Sequence, residues 1–321
     1  MDVAALLGVP TVADELARAE DALRRSVDAA DPLLGDVASH LLAAGGKRIR
    51  PALTAAAVLA AGRPVTDEVV LGGVSVELVH IGSLYHDDVM DEADSRRGVE
   101  SANHRWGNLV AILAGDFLLG RASEIAASLG TDVAGLLART IGRLCEGQLG
   151  ELRTAFDVGR TEEAYLSSIA GKTASLTAAA CRIGALVAGL PAAQTDALTS
   201  FGDAFGMAFQ IRDDVLDVVG DEATLGKPVG NDLVEGTYSL PIIRALRDPS
   251  VGDELRSLLG RPLDGAEQDK ARAIIASSTA VEESIASARS YADAADRALV
   301  DAFGEAPSAL YGAAHRLLDD L

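Results

Sequence analysis

The feature that most constrains this fold is a helical spacing of apolar residues that runs almost from end to end, interrupted only by short Gly, Pro and Asp punctuation. The breaks fall at Asp31-Pro32, Gly45-Gly46, Gly62-Arg63-Pro64, Gly130-Thr131-Asp132, Gly189-Leu190-Pro191 and Arg247-Asp248-Pro249. The stretches between them run about 15–30 residues, long for ordinary globular helices. Aromatic residues make up only 4% of the chain, and alanine and leucine dominate its apolar share. That balance favours helix over strand, because sheets enrich β-branched and aromatic side chains. No linker or low-complexity tract marks a boundary. The expected fold is all-α: one domain over residues 1–321, a bundle of long antiparallel helices around a central cavity. In such bundles, metal and cofactor sites lie between facing helices.

A net charge of −20 and the lack of any Lys/Arg-rich block exclude a nucleic-acid binder. An acidic chain that handles anions needs a metal bridge or a locally basic pocket. Cys145 and Cys181 sit in apolar helical stretches without metal-ligand spacing, so both are expected to be reduced core residues. The chain opens on Met1-Asp2-Val3, with no basic region followed by an apolar run. Its longest apolar run, around residues 53–61, is too short to cross a bilayer. No transmembrane segment is expected, and a cytoplasmic location is.

The chemistry concentrates in one short motif that occurs twice. His86-Asp87-Asp88-Val89-Met90-Asp91 follows the apolar run Val74-Ser75-Val76-Glu77-Leu78-Val79-His80-Ile81. On a helix, Asp87 and Asp91 project from one face with Asp88 beside them, and like charges at that spacing repel. Such a cluster asks for a counter-charge, and hard oxygen ligands suit Mg²⁺, which takes one or two carboxylates plus phosphates and waters. Alone, the cluster reads equally as a solvated acidic helix end. The second copy, Gln210-Ile211-Arg212-Asp213-Asp214-Val215-Leu216-Asp217, repeats the spacing after another apolar stretch and is far enough away to lie on a different, facing helix. Two such clusters can hold several Mg²⁺ ions, which in turn hold a diphosphate. Cations flank both: Arg96-Arg97-Gly98, Lys172-Thr173, Gly226-Lys227, and Gly45-Gly46-Lys47-Arg48-Ile49-Arg50-Pro51 at a helix start, a place suited to phosphate. Each of these alone reads as a surface charge; their grouping around the Asp motifs points to phosphate binding.

Taken together, GGKRIRP, VELVHIGSLYHDDVMDEADSRRG, NHRWGNLVAILAGDFLLG, GKTASL, FGMAFQIRDDVLD and GKPVGNDLVEGTYSLP, in this order over residues 45–241, resemble the trans-isoprenyl diphosphate synthases, and within them the bacterial medium- and long-chain polyprenyl diphosphate synthases. The resemblance implies an isoprenoid-synthase-like all-α fold and a Mg²⁺-dependent prenyltransferase that joins isopentenyl diphosphate to an allylic diphosphate. It makes Asp87, Asp88, Asp91, Asp213, Asp214 and Asp217 ligands to two or three Mg²⁺ ions. Lys47, Arg50, His80 and Arg97 would bind isopentenyl diphosphate. Arg96, Lys172, Thr173, Gln210 and Lys227 would bind the allylic diphosphate, with Lys172 also counted as catalytic. His80, read without the family, is an ordinary core histidine. Family members are typically homodimers.

In this family the helix before the first motif lines the product tunnel. Gly82 and Ser83, five and four residues before Asp87, are both small, where short-chain farnesyl synthases place an aromatic ring. Tyr85 does not share that face. A product longer than farnesyl, of the length used for quinone side chains, is therefore expected. Thr237 stands where short-chain members often carry Lys, another long-chain trait. Three rivals stay open: a geranylgeranyl diphosphate synthase; a class I terpene cyclase, against which the second Asp cluster and Lys47/Arg50 argue; and a non-catalytic partner subunit.

Overall fold

The punctuation becomes helix ends. In the computed structural model, which describes residues 2–220, 229–304, 306–307 and 309–321, Asp31 caps α3 (Pro32–Ala43) by accepting from the Leu34 amide, with Pro32 at the first helical position. Thr66 accepts from the Val69 amide at the start of α5 (Asp67–Met90), whose first turn carries Asp67 and Glu68 at the positive end of the helix dipole. Gly62 and Gly189 sit in the left-handed region that a chain reversal needs. The other principal helices are α1 (Val3–Leu7), α2 (Val12–Ser26), α4 (Ile49–Ala60), α6 (Ala102–Trp106), α7 (Asn108–Ser128), α8 (Thr131–Arg153), α9 (Glu162–Ile169), α10 (Ser175–Val187) and α11 (Ala192–Val219). Beyond these come α12 (Asn231–Glu235), α13 (Leu240–Ala245), α14 (Gly252–Leu258), α15 (Gly265–Ala276), α16 (Ala280–Phe303) and α17 (Ala313–Arg316). Among the described residues, strand is confined to a two-residue hairpin, β1 (Ser95–Arg96) with β2 (Val99–Glu100). The fold is all-α.

The residues group into two compact units, each assembled from separate stretches of sequence. The first holds residues 1–141, 176–202 and 298–311 and the second holds 142–175, 203–297 and 312–321. In the first, α5 is the central helix, packed most extensively on α7 and then on α4 and α2. Glycines set the approach of both α5 and α10 to α4. A Cβ at Gly73 would lie 2.9 Å from Pro51 Cα, and one at Gly184 2.5 Å from the Thr54 carbonyl oxygen, so any side chain there would push the helices apart. By length and composition α5 could cross a membrane, a helix the sequence reading passed over, but 72% of its most apolar window is buried inside the protein. It is the core helix of the first unit.

In the second unit, the last turn of α9 leads into α10 through a five-residue π-turn, Ala170–Ala174. The two backbones cross at Gly147 of α8 and Gly171: a Cβ on Gly147 would meet the Lys172 amide at 2.6 Å, and one on Gly171 the Arg143 carbonyl at 2.7 Å. One expectation about the cysteines needs correcting. Cys181 is buried, its thiol pushed up to about 12 by burial, but Cys145 is exposed. The buried stripe of α8 runs through Gly147 and Gln148, and Cys145 lies about 200° round the helix from Gly147.

Candidate active site

The first Asp motif closes α5. Asp87 and Asp88 are buried in its last turn, and Asp91, at the C-cap, is exposed. Three carboxylates at the negative end of a helix dipole are unfavourable unless cations meet them. The hairpin supplies one. Its two-residue loop, Arg97-Gly98, has positive φ at both positions (55° and 78°), the conformation that matches the twist of paired strands. The turn brings Arg96 back onto the helix end, where its Nε donates to Asp88 Oδ1 at 2.6 Å. Burial raises the Asp88 carboxyl and Arg96 pulls it down, with burial prevailing. The other oxygen, Asp88 Oδ2, is buried without a hydrogen-bond partner. An orphaned carboxylate oxygen beside two further aspartates is a donor set that fits a hard divalent cation.

Further up α5, a basic group gathers around His80. Arg97 donates to the carbonyls of Leu41 (3.1 Å) and Gly45. Arg48, itself at positive φ, donates to Glu20 (2.8 Å), Leu42 O (3.0 Å) and Glu77 (3.4 Å). A Cβ at Gly46 would sit 2.8 Å from Arg48 Nη1 and 3.1 Å from Arg97 Nη1, so glycine lets both guanidiniums close over the backbone. Arg50 has a buried Nε with no partner, and desolvation lowers its pKa. Burial, then Arg50, Arg97, Arg48 and Arg96, hold His80 well below its usual range, so its imidazole is neutral at pH 7. The expected Arg50, His80, Arg96 and Arg97 thus lie together, whereas Lys47 is exposed. Glu77, unassigned from sequence, is buried with Oε2 unpartnered, and it favours the charged forms of Arg50 and Arg97. Its signal was a lone carboxylate in an apolar run.

Gly82 departs from the tunnel-wall expectation. A Cβ there would meet the Gly115 carbonyl at 3.1 Å and Leu118 and Leu119 at 3.4 Å, and one on Gly115 would lie 2.3 Å from His86 Nε2. Gly82 is small because α5 and α7 cross there. Ser83 is half-buried, its hydroxyl donating to His80 O at 2.9 Å. Tyr85 turns away, donating to Val37 O and accepting from the Leu41 amide.

The second motif lies on α11. Asp214 is buried; Tyr165 of α9 donates to its Oδ2 and Gln210 donates to Oδ1 at 2.8 Å. Thr173, on the π-turn, donates to Gln210 Oε1 at 2.7 Å, and its neighbour Lys172 donates to Glu151 at 2.8 Å. Single π-turns inside helices recur at functional sites. Burial, helped by Asp213 and Glu151, pushes the Asp214 carboxyl up to about 7 against the pull of Tyr165 and Gln210. Asp232 is likewise raised well above the usual carboxylate range, by burial and then by Asp214 and Asp217. Asp217, expected as a metal ligand, accepts the amides of Asn231 (3.3 Å) and Asp232 (3.1 Å) on its two oxygens and so anchors the start of α12. Lys227 lies outside the described residues. Tyr165, Glu151, Asp232 and the buried Arg160, which donates to Tyr238 O at 3.0 Å, went unassigned from sequence. Among the described residues no three His, Cys, Asp or Glu side chains form a ready-made metal cage. A cage is not what Mg²⁺ needs when a diphosphate supplies most of its oxygens.

The family model described as polyprenyl synthetase matches residues 31–277. The chain is 40% identical over 287 residues to heptaprenyl diphosphate synthase component 2 of Geobacillus stearothermophilus, covering 88% of each chain. It is also 40% identical over 250 residues to nonaprenyl diphosphate synthase of Mycobacterium tuberculosis, covering 78% of this chain and 75% of the relative. A crystal structure of polyprenyl synthase from Caulobacter crescentus, complexed with calcium and isoprenyl diphosphate, superposes with a TM-score of 0.87 at 34% identity, covering 96% of this chain and 94% of that one. With both aspartate motifs placed on helices and its relatives named as synthases of seven- and nine-unit products, the chain belongs to the polyprenyl synthetase family, a family of prenyltransferases.

Proposed function

We propose that this chain condenses isopentenyl diphosphate with an allylic diphosphate, in a Mg²⁺-dependent reaction, to make a trans polyprenyl diphosphate of medium or long chain, with both units working as one catalytic domain. One observation carries the reading. A single helix, α5, presents two different anion-handling devices: the metal-seeking Asp87/Asp88 pair and, two turns earlier, the group around His80, Arg50 and Arg97. That is the equipment for two diphosphates, one held through metal and one held by protein cations.

Asp87, Asp88 and Asp91, with Asp213 and Asp214, would hold Mg²⁺, which when bound supplies the positive charge that stabilises a departing diphosphate. Lys172, Thr173, Gln210 and Arg96 hold the allylic ester, and Arg50, Arg97, His80 and Lys47 orient isopentenyl diphosphate. The allylic C–O bond breaks with its electron pair leaving on diphosphate. The isopentenyl double bond attacks the freed carbon, and the positive charge passes to the tertiary carbon of the isopentenyl unit. Loss of a proton from the carbon beside it to the released diphosphate restores a double bond. No protein nucleophile enters. The same reading places the chain in the cytoplasm as a homodimer, for which α7 offers exposed Leu109 and Leu113.

The test is incubation of the purified chain with labelled isopentenyl diphosphate and dimethylallyl, farnesyl or geranylgeranyl primers, with Mg²⁺ or EDTA, followed by product sizing. Mg²⁺-dependent products longer than farnesyl are expected. A single twenty-carbon product would favour the geranylgeranyl rival. Incorporation only after a second protein is added would favour a two-component enzyme, a reading that the name "component 2" of one relative supports. Because Gly82 serves helix packing, Ser83 is the better probe of chain length. Ser83→Phe should shorten the product by at least one isoprene unit at unchanged fold, and an unaltered product distribution would remove Ser83 from the tunnel.

A further inference from the structure

Arg212 precedes the second Asp motif and is buried, with 6% exposure. A guanidinium there is a competitor: its Nη1 donates at 2.9 Å to Asp213 Oδ1, one oxygen of the carboxylate that would hold the proposed metal. A second carboxylate takes up the rest of the same group. Asp320 accepts from Arg212 Nε at 3.1 Å and, on its other oxygen, from Nη2. The bidentate edge, the stronger geometry for an arginine–carboxylate pair, therefore goes to Asp320, and Asp213 keeps a single contact.

The segment that carries Asp320 is fastened independently of the motif. His315 of α17 lies 3.2 Å from Asp293 of α16, and the Gly312 amide donates to Asp296 at 2.8 Å. Ala313, Ala314, Leu317 and Leu318 are buried. Arg212 thus sits between the exposed carboxylate of Asp320 and Asp213, which the proposed reaction uses.

We propose that Asp320 is a positioning residue: by taking the bidentate edge of Arg212 it keeps that cation from neutralising Asp213 and leaves Asp213 available to the metal–diphosphate complex. The inference rests on the Mg²⁺-dependent reading above. With Asp320 removed, Asp213 is the remaining carboxylate in contact with Arg212 among the described residues, so Mg²⁺ must displace a stronger rival.

The experiment is calorimetric binding of inorganic diphosphate to the full chain across a Mg²⁺ series, for wild type, Asp320→Asn, Asp320→Glu, Arg212→Gln and the double variant Arg212→Gln/Asp320→Asn, with thermal melts to check folding. Asp320→Asn should raise the half-saturating Mg²⁺ concentration roughly three- to tenfold, the scale on which neighbouring charges couple. Asp320→Glu should recover most of that loss, and in the Arg212→Gln background Asp320→Asn should have no further effect. Wild-type binding that Asp320→Asn leaves unchanged, or an effect of equal size in the Arg212→Gln background, would overturn the role of Asp320 alone. Failure of the wild-type chain to bind diphosphate in a Mg²⁺-dependent way would instead overturn the functional reading and this inference with it.

Discussion

Asp88→Asn is expected to cut product formation by at least ~10²–10³-fold, the loss typical when a preorganised charge-stabilising group is removed, while the protein melts no lower than wild type. Both halves follow from the surroundings of one side chain. Asparagine matches aspartate in shape, and its oxygen can still accept from Arg96 Nε. Its amide then falls where Oδ2 lies buried without a partner, and it presents N–H groups to a cation. Stability moves the other way because burial raises the Asp88 carboxyl despite Arg96. The charged form is thus less favoured in the fold than in the unfolded chain, and a neutral isostere relieves that cost. Turnover with labelled isopentenyl diphosphate, alongside thermal melts without metal, checks both halves. A variant that retains turnover within tenfold of wild type would take Asp88 out of the mechanism.

Asp214→Asn should cost as much activity and leave a distinctive mark on the pH dependence of stability. In the metal-free protein the Asp214 carboxyl is raised to about 7, from an ordinary value of 3.8. A raised carboxyl contributes stability that is complete below pH ~4 and lost as pH rises through ~7, because the unfolded chain releases the proton first. Metal-free wild type should therefore melt at progressively lower temperature from pH 5 to pH 8, and Asp214→Asn should show a shallower decline. In its proposed role as a metal ligand Asp214 gives up the same proton, so diphosphate uptake with Mg²⁺ should strengthen over that range. Parallel melting curves for the two proteins across that range would show that Asp214 does not titrate there.

Much of this was legible before any coordinates. Helix ends followed from Asp31-Pro32 and from Gly62 and Gly189, because caps and turns are local chemistry, whereas the Thr66 cap of α5 went unread. The Asp motifs and their cations were legible because like charges on an apolar helix demand an explanation. What escaped depends on which chain segments meet. Nothing near Tyr165 in sequence announces Asp214, and Asp232 acquires its partners only when α12 is anchored on Asp217. The Arg97-Gly98 turn lacks the Asn-Gly or Asp-Gly signature that marks two-residue hairpins. Gly82 was ambiguous because a missing side chain can leave room for a ligand or for another backbone. Cys145 went astray because composition around a helical residue does not say which side of the helix it occupies.

The small hairpin also joins two helix ends. Arg96 and Arg97 are joined by one peptide unit, with their Cα atoms about 3.8 Å apart, yet one reaches the carboxylate of Asp88 and the other the carbonyls of Leu41 and Gly45. Arg96 meets the carboxylate at the end of α5 while Arg97 meets carbonyls at the end of α3, so one short turn staples the C-termini of two helices with two cations.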